Sequence, residues 1–402
     1  MPASTPSTLW QHAGFRRLYA STLCFSLATR IYELAMPLIL YELTRSASAM
    51  ASMRAVELLP NLLLAMFIGV WVDRFDRALW ARLAMAGMVV LMGIQAWMLG
   101  QGTEGGGMLP YFYACAFALM TLNYLYSICR MGMVKDMLPA HLLLPATGQL
   151  SVVNELFGVL GPMLAGLVLA WHLELGLWLP MGALLLAAYL QRNLQLPLRA
   201  TQPQAYWSAW REGWGVLVRN RPLWHLAWLV VLTNGSAGVV EVLFLFRARD
   251  QLNLGPGEIG LMFGLAGLGG VAAGLYASRL RQRLGLGRLI ALAFALEALC
   301  ILPMAWAQAV PVLLLALCVN SFAAVVGNVC IWGYRQESTE SHHIGRISGL
   351  TGSLFKLLMP ISLVLSGLLA NGQTLVWLMT ACAVLHGVAV LGARVSSVYR
   401  VA

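Results

Sequence analysis

The sequence predicts an all-α membrane protein with twelve transmembrane helices in two pseudo-symmetric six-helix bundles. Three observations predict it. Of the 402 residues, 60% are hydrophobic and only 10% charged, against about 25% charged in a soluble domain. The apolar residues fall into twelve runs of about the length a bilayer requires, roughly 20 residues. The basic residues gather in alternate connections between those runs, as expected when one side of a membrane retains positive charge.

The runs lie at 16–43, 49–71, 80–100, 108–130, 146–171, 174–193, 223–246, 257–278, 288–307, 310–334, 346–370 and 374–394. They are called spans one to twelve. Of the 26 basic residues, 20 fall on the side holding both termini, which is therefore read as cytoplasmic. Arg45, Arg54, Arg247 and Arg249 fall at the opposite ends, and Arg30 and Lys356 fall inside spans. The longest polar stretch, residues 196–222, contains YWSAWREGWGVLVRNRP, with Trp207, Trp210 and Trp214 among charges. It reads as an amphipathic helix at the cytoplasmic interface. It separates an N-terminal bundle, 1–195, from a C-terminal bundle, 223–402.

This composition excludes a soluble fold and disorder; mean hydropathy is +0.75. A net charge of +10 would alone suggest a nucleic-acid partner, but the one-sided placement of the arginines assigns it to the membrane surface, and no nucleic-acid partner is expected. The seven cysteines lie in apolar runs without CxxC spacing, so neither disulfides nor a zinc site are expected. No short apolar core followed by a small-residue cleavage site opens the chain, so no cleaved signal peptide is expected. His342 and His343 are adjacent, but other ligands do not cluster near them, so no metal is expected. No P-loop, nucleophile elbow or HExxH occurs, so the chain is not read as an enzyme and no cofactor is expected.

Between spans two and three lies GVWVDRFDR, with Gly69, Asp73, Arg74, Asp76 and Arg77. Its G-x-x-x-D-R-x-x-R spacing resembles the loop signature of the major facilitator superfamily. The resemblance implies that Gly69, Asp73, Arg74 and Arg77 form a cytoplasmic gate. Asp76 and Ala78 stand where that family usually has glycine and a basic residue. Span five carries GVLGPMLAG, with Gly158, Gly161, Pro162 and Gly166, which resembles the Gly-Pro signature of the family's efflux members. Small residues let helices approach and proline bends them, so these four are also gating candidates. FRRLYASTLCFSLATRIYELAMPLILYELTRSASA and HHIGRISGL resemble the branch that holds siderophore exporters and macrolide efflux pumps.

The halves echo one another at an offset near 205. Gly274 and Arg279 answer Gly69 and Arg74, with Ser278 in place of the aspartate; Asn328 answers Asn123, and Arg335 answers Arg130. Glu241 answers Glu33, and Lys356 answers Glu155, at slightly different offsets. Parallel repeats of this kind are what the major facilitator fold implies.

Charge inside a membrane costs about 2.5–3.5 kcal/mol per residue on insertion scales and so marks candidate sites. Arg30 and Lys356 are candidate anchors for an anionic substrate, with Asn123, Tyr126, Asn234, Asn320 and Asn328 as candidate hydrogen-bonding partners. Glu33, Glu155 and Glu241 are candidate proton-coupling residues. Glu241 reads as a lone buried carboxylate, suited to take up a proton, with Arg30 or Lys356 as alternative partners. Glu57 is placed near the cavity mouth, and Glu297 and His386 are given structural roles. The resemblance implies secondary active export by alternating access, driven by a proton gradient, of a small and siderophore-like molecule, by a monomeric antiporter in a bacterial inner membrane. Macrolide or multidrug efflux, uptake of a metal–siderophore complex, and a transport-dead sensor are the alternatives.

Overall fold

A computed structural model of the chain describes residues 9–64, 67, 68, 72, 76–101, 106–194, 206–339, 344–370 and 374–400. Fourteen α-helices follow in chain order among them: α1 Ala13–Thr44, α2 Ala47–Leu63, α3 Arg77–Gly100, α4 Leu109–Met137, α5 Ala140–Trp171, α6 Leu175–Gln191, α7 Tyr206–Arg219, α8 Arg221–Asp250, α9 Pro256–Leu284, α10 Leu286–Trp306, α11 Val310–Glu337, α12 Ile344–Leu354, α13 Met359–Leu369 and α14 Thr374–Val395. Among the described residues ten segments are long and apolar enough to cross a membrane, α12 and α13 contributing to one of them. The 17-residue helices α2 and α6 complete twelve spans.

Sequence chemistry explains where these helices begin and bend. Asp76 caps α3, its side chain accepting from the amides of Ala78 and Leu79 at 2.8 and 3.2 Å. The position that departs from the usual loop signature is therefore a helix cap. Asn220 caps α8 in the same way, accepting from the Leu223 amide. Proline occupies the first turn of α4, α8, α9, α11 and α13, where no amide donor is needed. Helices α4, α9 and α11 run several residues past their apolar spans, because arginine, lysine and glutamine continue a helix readily once water replaces lipid.

Packing divides the chain into two compact units. The first holds Met1–Ile39 and Leu63–Pro203; the second holds Leu40–Leu62 and Gln204–Ala402. In the first, α3 packs along α4 and α6. In the second, α10 lies between α11 and α14, α9 packs on α11, and α8 touches α13 and α14. Large apolar side chains such as Trp97, Leu275, Leu368 and Trp377 stand on the outer helix surfaces. In a multi-pass protein those faces meet lipid, while the backbone is satisfied within each helix.

The linker helix α7 is only partly a surface element. Leu217 is fully buried and joins a core cluster with Leu223, Ile290 and Ile347, and the Trp214 ring meets Trp224 edge-on at 5.5 Å. The side chains of Trp207 and Trp210 lie outside the described residues.

Candidate functional site

In the first unit, Arg30 of α1 donates to Glu33 one turn on, at 2.8 Å, with side chains 40% and 30% exposed. The expected anion anchor and the expected proton carrier thus compensate one another. α5 crosses α1 at this point. A Cβ on Gly161 would lie 2.4 Å from the Arg30 Cβ, so only glycine permits this crossing. One turn earlier, Gly158 has open space around it. Pro162 is half-buried within α5 and Gly166 is buried. Ser26 of α1 donates to Asn154 of α5 at 3.0 Å, whereas the neighbouring Glu155 is exposed.

Tyr126 is fully buried and stacks on Phe25 with ring centroids 3.9 Å apart. The Gln191 amide donates to the Tyr126 hydroxyl at 2.9 Å and to Ser21 at 2.8 Å. The residue predicted to meet substrate is an interior packing element here. Its aromatic bulk and polar tip both find partners inside the bundle. Asn123 is half-buried, its amide 3.6 Å from the Met120 sulfur.

The residues expected to form the cytoplasmic gate are described in part. Gly69, Asp73 and Arg74 lie outside the described residues. Arg77, at the start of α3, donates to Asp136 near the end of α4 at 2.7 Å, with side chains only 17% and 7% exposed. Gly132 leaves room for it, since a Cβ there would sit 2.5 Å from the Arg77 Cδ.

The second unit repeats this device at other positions than predicted. Gly274 has open space around it and Arg279 is exposed. Instead, Arg281 of α9 grips Glu337 of α11 through two hydrogen bonds of 2.8 and 2.5 Å, beside Gly333. Arg281, Gly333 and Glu337 correspond to Arg77, Gly132 and Asp136. A search for a copied Asp-Arg motif misses the correspondence because the carboxylate comes from a different helix than the arginine. The bond from Arg281 holds the Glu337 carboxyl below the ordinary glutamate value, and the same bond raises the arginine's.

Glu241 is neither lone nor buried. Its side chain is 49% exposed and takes a 2.6 Å bond from Arg54 of α2. Arg54 also donates to Glu57 at 3.0 Å, and Glu57 is buried. One guanidinium therefore serves two carboxylates. Further along, the Glu42 carboxylate accepts from Arg45 at 2.8 Å and from Arg249 at 2.6 Å, and Tyr41 donates to Asp250 at 3.0 Å. These partners stand 187 to 209 positions apart between α1–α2 and α8, beyond the reach of any local motif.

Span eleven is not one continuous helix. α12 ends at Leu354 and α13 begins at Met359, and Lys356 lies half-buried in the interruption. The backbone there folds into tight turns: the amides of Phe355, Lys356, Leu357 and Met359 bond to the carbonyls of Thr351, Ser353, Leu354 and Lys356. α8 secures the turns from the side. Asn234 donates to the Phe355 carbonyl at 3.1 Å, and Ser362 donates to the Gly235 carbonyl at 2.7 Å. Asn234 therefore bonds to backbone rather than standing open for substrate. The signal for this break was Pro360, which cannot supply the amide a continuous helix would need. Asn320 is half-buried and Asn328 exposed on α11.

Among the described residues no three His, Cys, Asp or Glu side chains gather as metal ligands would; His342 and His343 lie outside those residues.

One sequence relative, two solved structures and a family model are similar to this chain. The chain is 24% identical over 383 residues to macrolide efflux protein A of Streptococcus pyogenes, covering 89% of each chain. Its fold matches a bacterial homologue of the iron transporter ferroportin in an inward-facing state, with a TM-score of 0.76, 17% identity, and coverage of 97% of this chain and 100% of that one. It also matches a mutant of the nucleoside transporter NupG, with a TM-score of 0.74, 9% identity, and coverage of 94% and 98%. The model of the Major Facilitator Superfamily spans residues 18–363, and with twelve spans and two units, the chain belongs to that superfamily as a multi-pass membrane transporter.

Proposed function

We propose that the protein is a secondary active exporter of a bulky amphiphilic molecule of the macrolide class, working by alternating access as an antiporter driven by protons. It resides in a bacterial inner membrane with both termini cytoplasmic, as the arginine distribution supports. The observation that carries this reading is the likeness to macrolide efflux protein A along 89% of both chains. The charge arrangement supports it. Arg30 is compensated by Glu33, and Glu241 by Arg54, so neither site offers a free charge to an anion, and a substrate bringing little net charge suits them. A siderophore-like anionic substrate is the second reading, favoured by Lys356, whose place in the turns of span eleven is one where transporters of this fold class tend to build sites.

The test is accumulation in inverted membrane vesicles containing the full chain. With an acid interior, vesicles accumulate a macrolide and lose it when the gradient is collapsed. Accumulation of a catecholate siderophore instead, abolished by Lys356→Ala, establishes the second reading. Vesicles that accumulate neither compound refute proton-driven export of both.

A further inference from the structure

Three helices of the second unit meet at a buried polar centre that neither gate uses. Glu297 lies midway along α10, His386 midway along α14 and Ser236 midway along α8. They are 9%, 1% and 3% exposed. His386 Nε2 stands 3.0 Å from Glu297 Oε2. His386 Nδ1 stands 3.1 Å from both the Cys382 carbonyl and Ser236 Oγ.

The partners fix the protons. The Cys382 carbonyl can only accept. The Ser236 hydroxyl donates to the Thr233 carbonyl at 3.0 Å, so it presents a lone pair to the ring. Nδ1 therefore carries a hydrogen. A ring nitrogen without a hydrogen and a carboxylate oxygen are both acceptors, so the 3.0 Å contact between Nε2 and Oε2 requires one more proton between them. With that proton the pair is neutral overall; without it, one negative charge remains inside a membrane-spanning bundle. Among the described residues the groups facing the pair offer no other compensation. Ser236 and Thr233 come from α8, the Cys300 thiol lies on α10 within electrostatic reach of Glu297, and Cys382 lies on α14. Among the described residues the only ion-pair partner of Glu297 is His386. By contrast, Glu33 is paired with the Arg30 guanidinium at 2.8 Å.

We infer that Glu297 and His386 form a binding site for a single proton, and that this is the proton coupled to transport. The second half rests on the proton-driven reading above. The route from occupancy to movement is α8. Ser236 anchors it to the pair, Asn234 and Gly235 hold the interrupted span, and Glu241 holds Arg54. Loss of the proton sets a lone pair against a carboxylate, and their repulsion parts α10 from α14 and shifts the ring to which α8 is bonded at Ser236.

Glu297→Gln tests this. Its amide donates to Nε2 in the same volume, so it mimics permanent occupancy and preserves the fold. Two measurements are made on the full chain in liposomes, with a macrolide as probe. Infrared difference spectra between acid and alkaline pH show a change in a carboxyl stretching band, protonated or ion-paired, that disappears in Glu297→Gln, persists in Glu33→Gln, and moves in frequency in Glu297→Asp. A gradient of one pH unit, which can drive about tenfold accumulation in a one-for-one exchange, drives it in the wild type. It fails in Glu297→Gln, although the thermal unfolding of that variant matches the wild type's. Full accumulation by Glu297→Gln, or a band that does not depend on Glu297, overturns the inference. If the band depends on Glu297 but the wild type accumulates no macrolide, the proton site stands, while its coupling role and the export reading fall.

Discussion

Gly161 offers the sharpest test of how the first unit is assembled, because its neighbour in the same motif is a built-in control. An added Cβ at 161 would sit 2.4 Å from the Arg30 Cβ and 3.4 Å from the Arg30 backbone. Ordinary carbon contacts begin near 3.4 Å, so α1 and α5 must separate by about 1 Å, and overpacking of that order costs roughly 1–3 kcal/mol. The displaced atom belongs to the residue that holds Glu33, so the 2.8 Å pair is disturbed as well. Gly158 has nothing within 4 Å, and there alanine is neutral or favourable by the helix preference of up to about 1 kcal/mol. The assay is thermal unfolding of the purified protein followed by thiol labelling, since Cys129 is buried in the same unit and reacts only when the unit opens. Gly161→Ala labels at lower temperature than the wild type, and Gly158→Ala does not. Equal labelling profiles for the two variants would refute the crossing described here.

Other perturbations follow from the second unit. Asn234→Asp, which can only accept, disrupts the bond to the Phe355 carbonyl as thoroughly as Asn234→Ala does, and hydrogen exchange over 353–362 accelerates in both; a merely space-filling asparagine would tolerate Asp. Arg54→Ala removes the guanidinium bonded to the buried Glu57 and destabilises more than Glu241→Gln, which, half exposed, costs about 0–1 kcal/mol in chemical denaturation. The bond from Arg281 depresses the Glu337 carboxyl, so its stabilisation is present above the ordinary glutamate value and is lost as pH falls through the depressed one. Glu337→Gln flattens that acid limb of a stability–pH curve, though only slightly, because the carboxylate is largely exposed and solvent screens the pair.

The legible and illegible parts of this molecule separate by physical range. Spans are legible because lipid requires about 20 apolar residues in continuous sequence, and among the described residues each predicted run reappears as one helix, or as two in span eleven, with ends differing where the helix outruns the bilayer. Span eleven is interrupted, and Pro360 was its visible marker. Charge candidates were legible as a set, since so few occur in apolar runs. Their partners were not. Arg30 with Glu33 is one turn apart and could be read, but Arg54 with Glu241 and Gln191 with Tyr126 depend on how distant helices meet. Glu297 and His386 each looked like scaffold residues, and their shared proton appears only once three helices are brought together. The Arg281–Glu337 pair was hidden because the repeat preserved the contact while shifting its register.

The stretch Leu40–Leu62, packed with the second unit, also sets a schedule for biogenesis. Glu42 and Arg54 leave the ribosome about 190–210 residues before Arg249 and Glu241. At a synthesis rate of about 5–20 residues per second, that is a wait of roughly 10–40 s. During that interval the first two spans sit in the membrane without their final electrostatic partners. A nascent chain arrested before residue 241 therefore carries this segment undocked, and insertion factors or proteases that survey intramembrane charge meet it in that form. Completion of α8 is the event that ends this exposure.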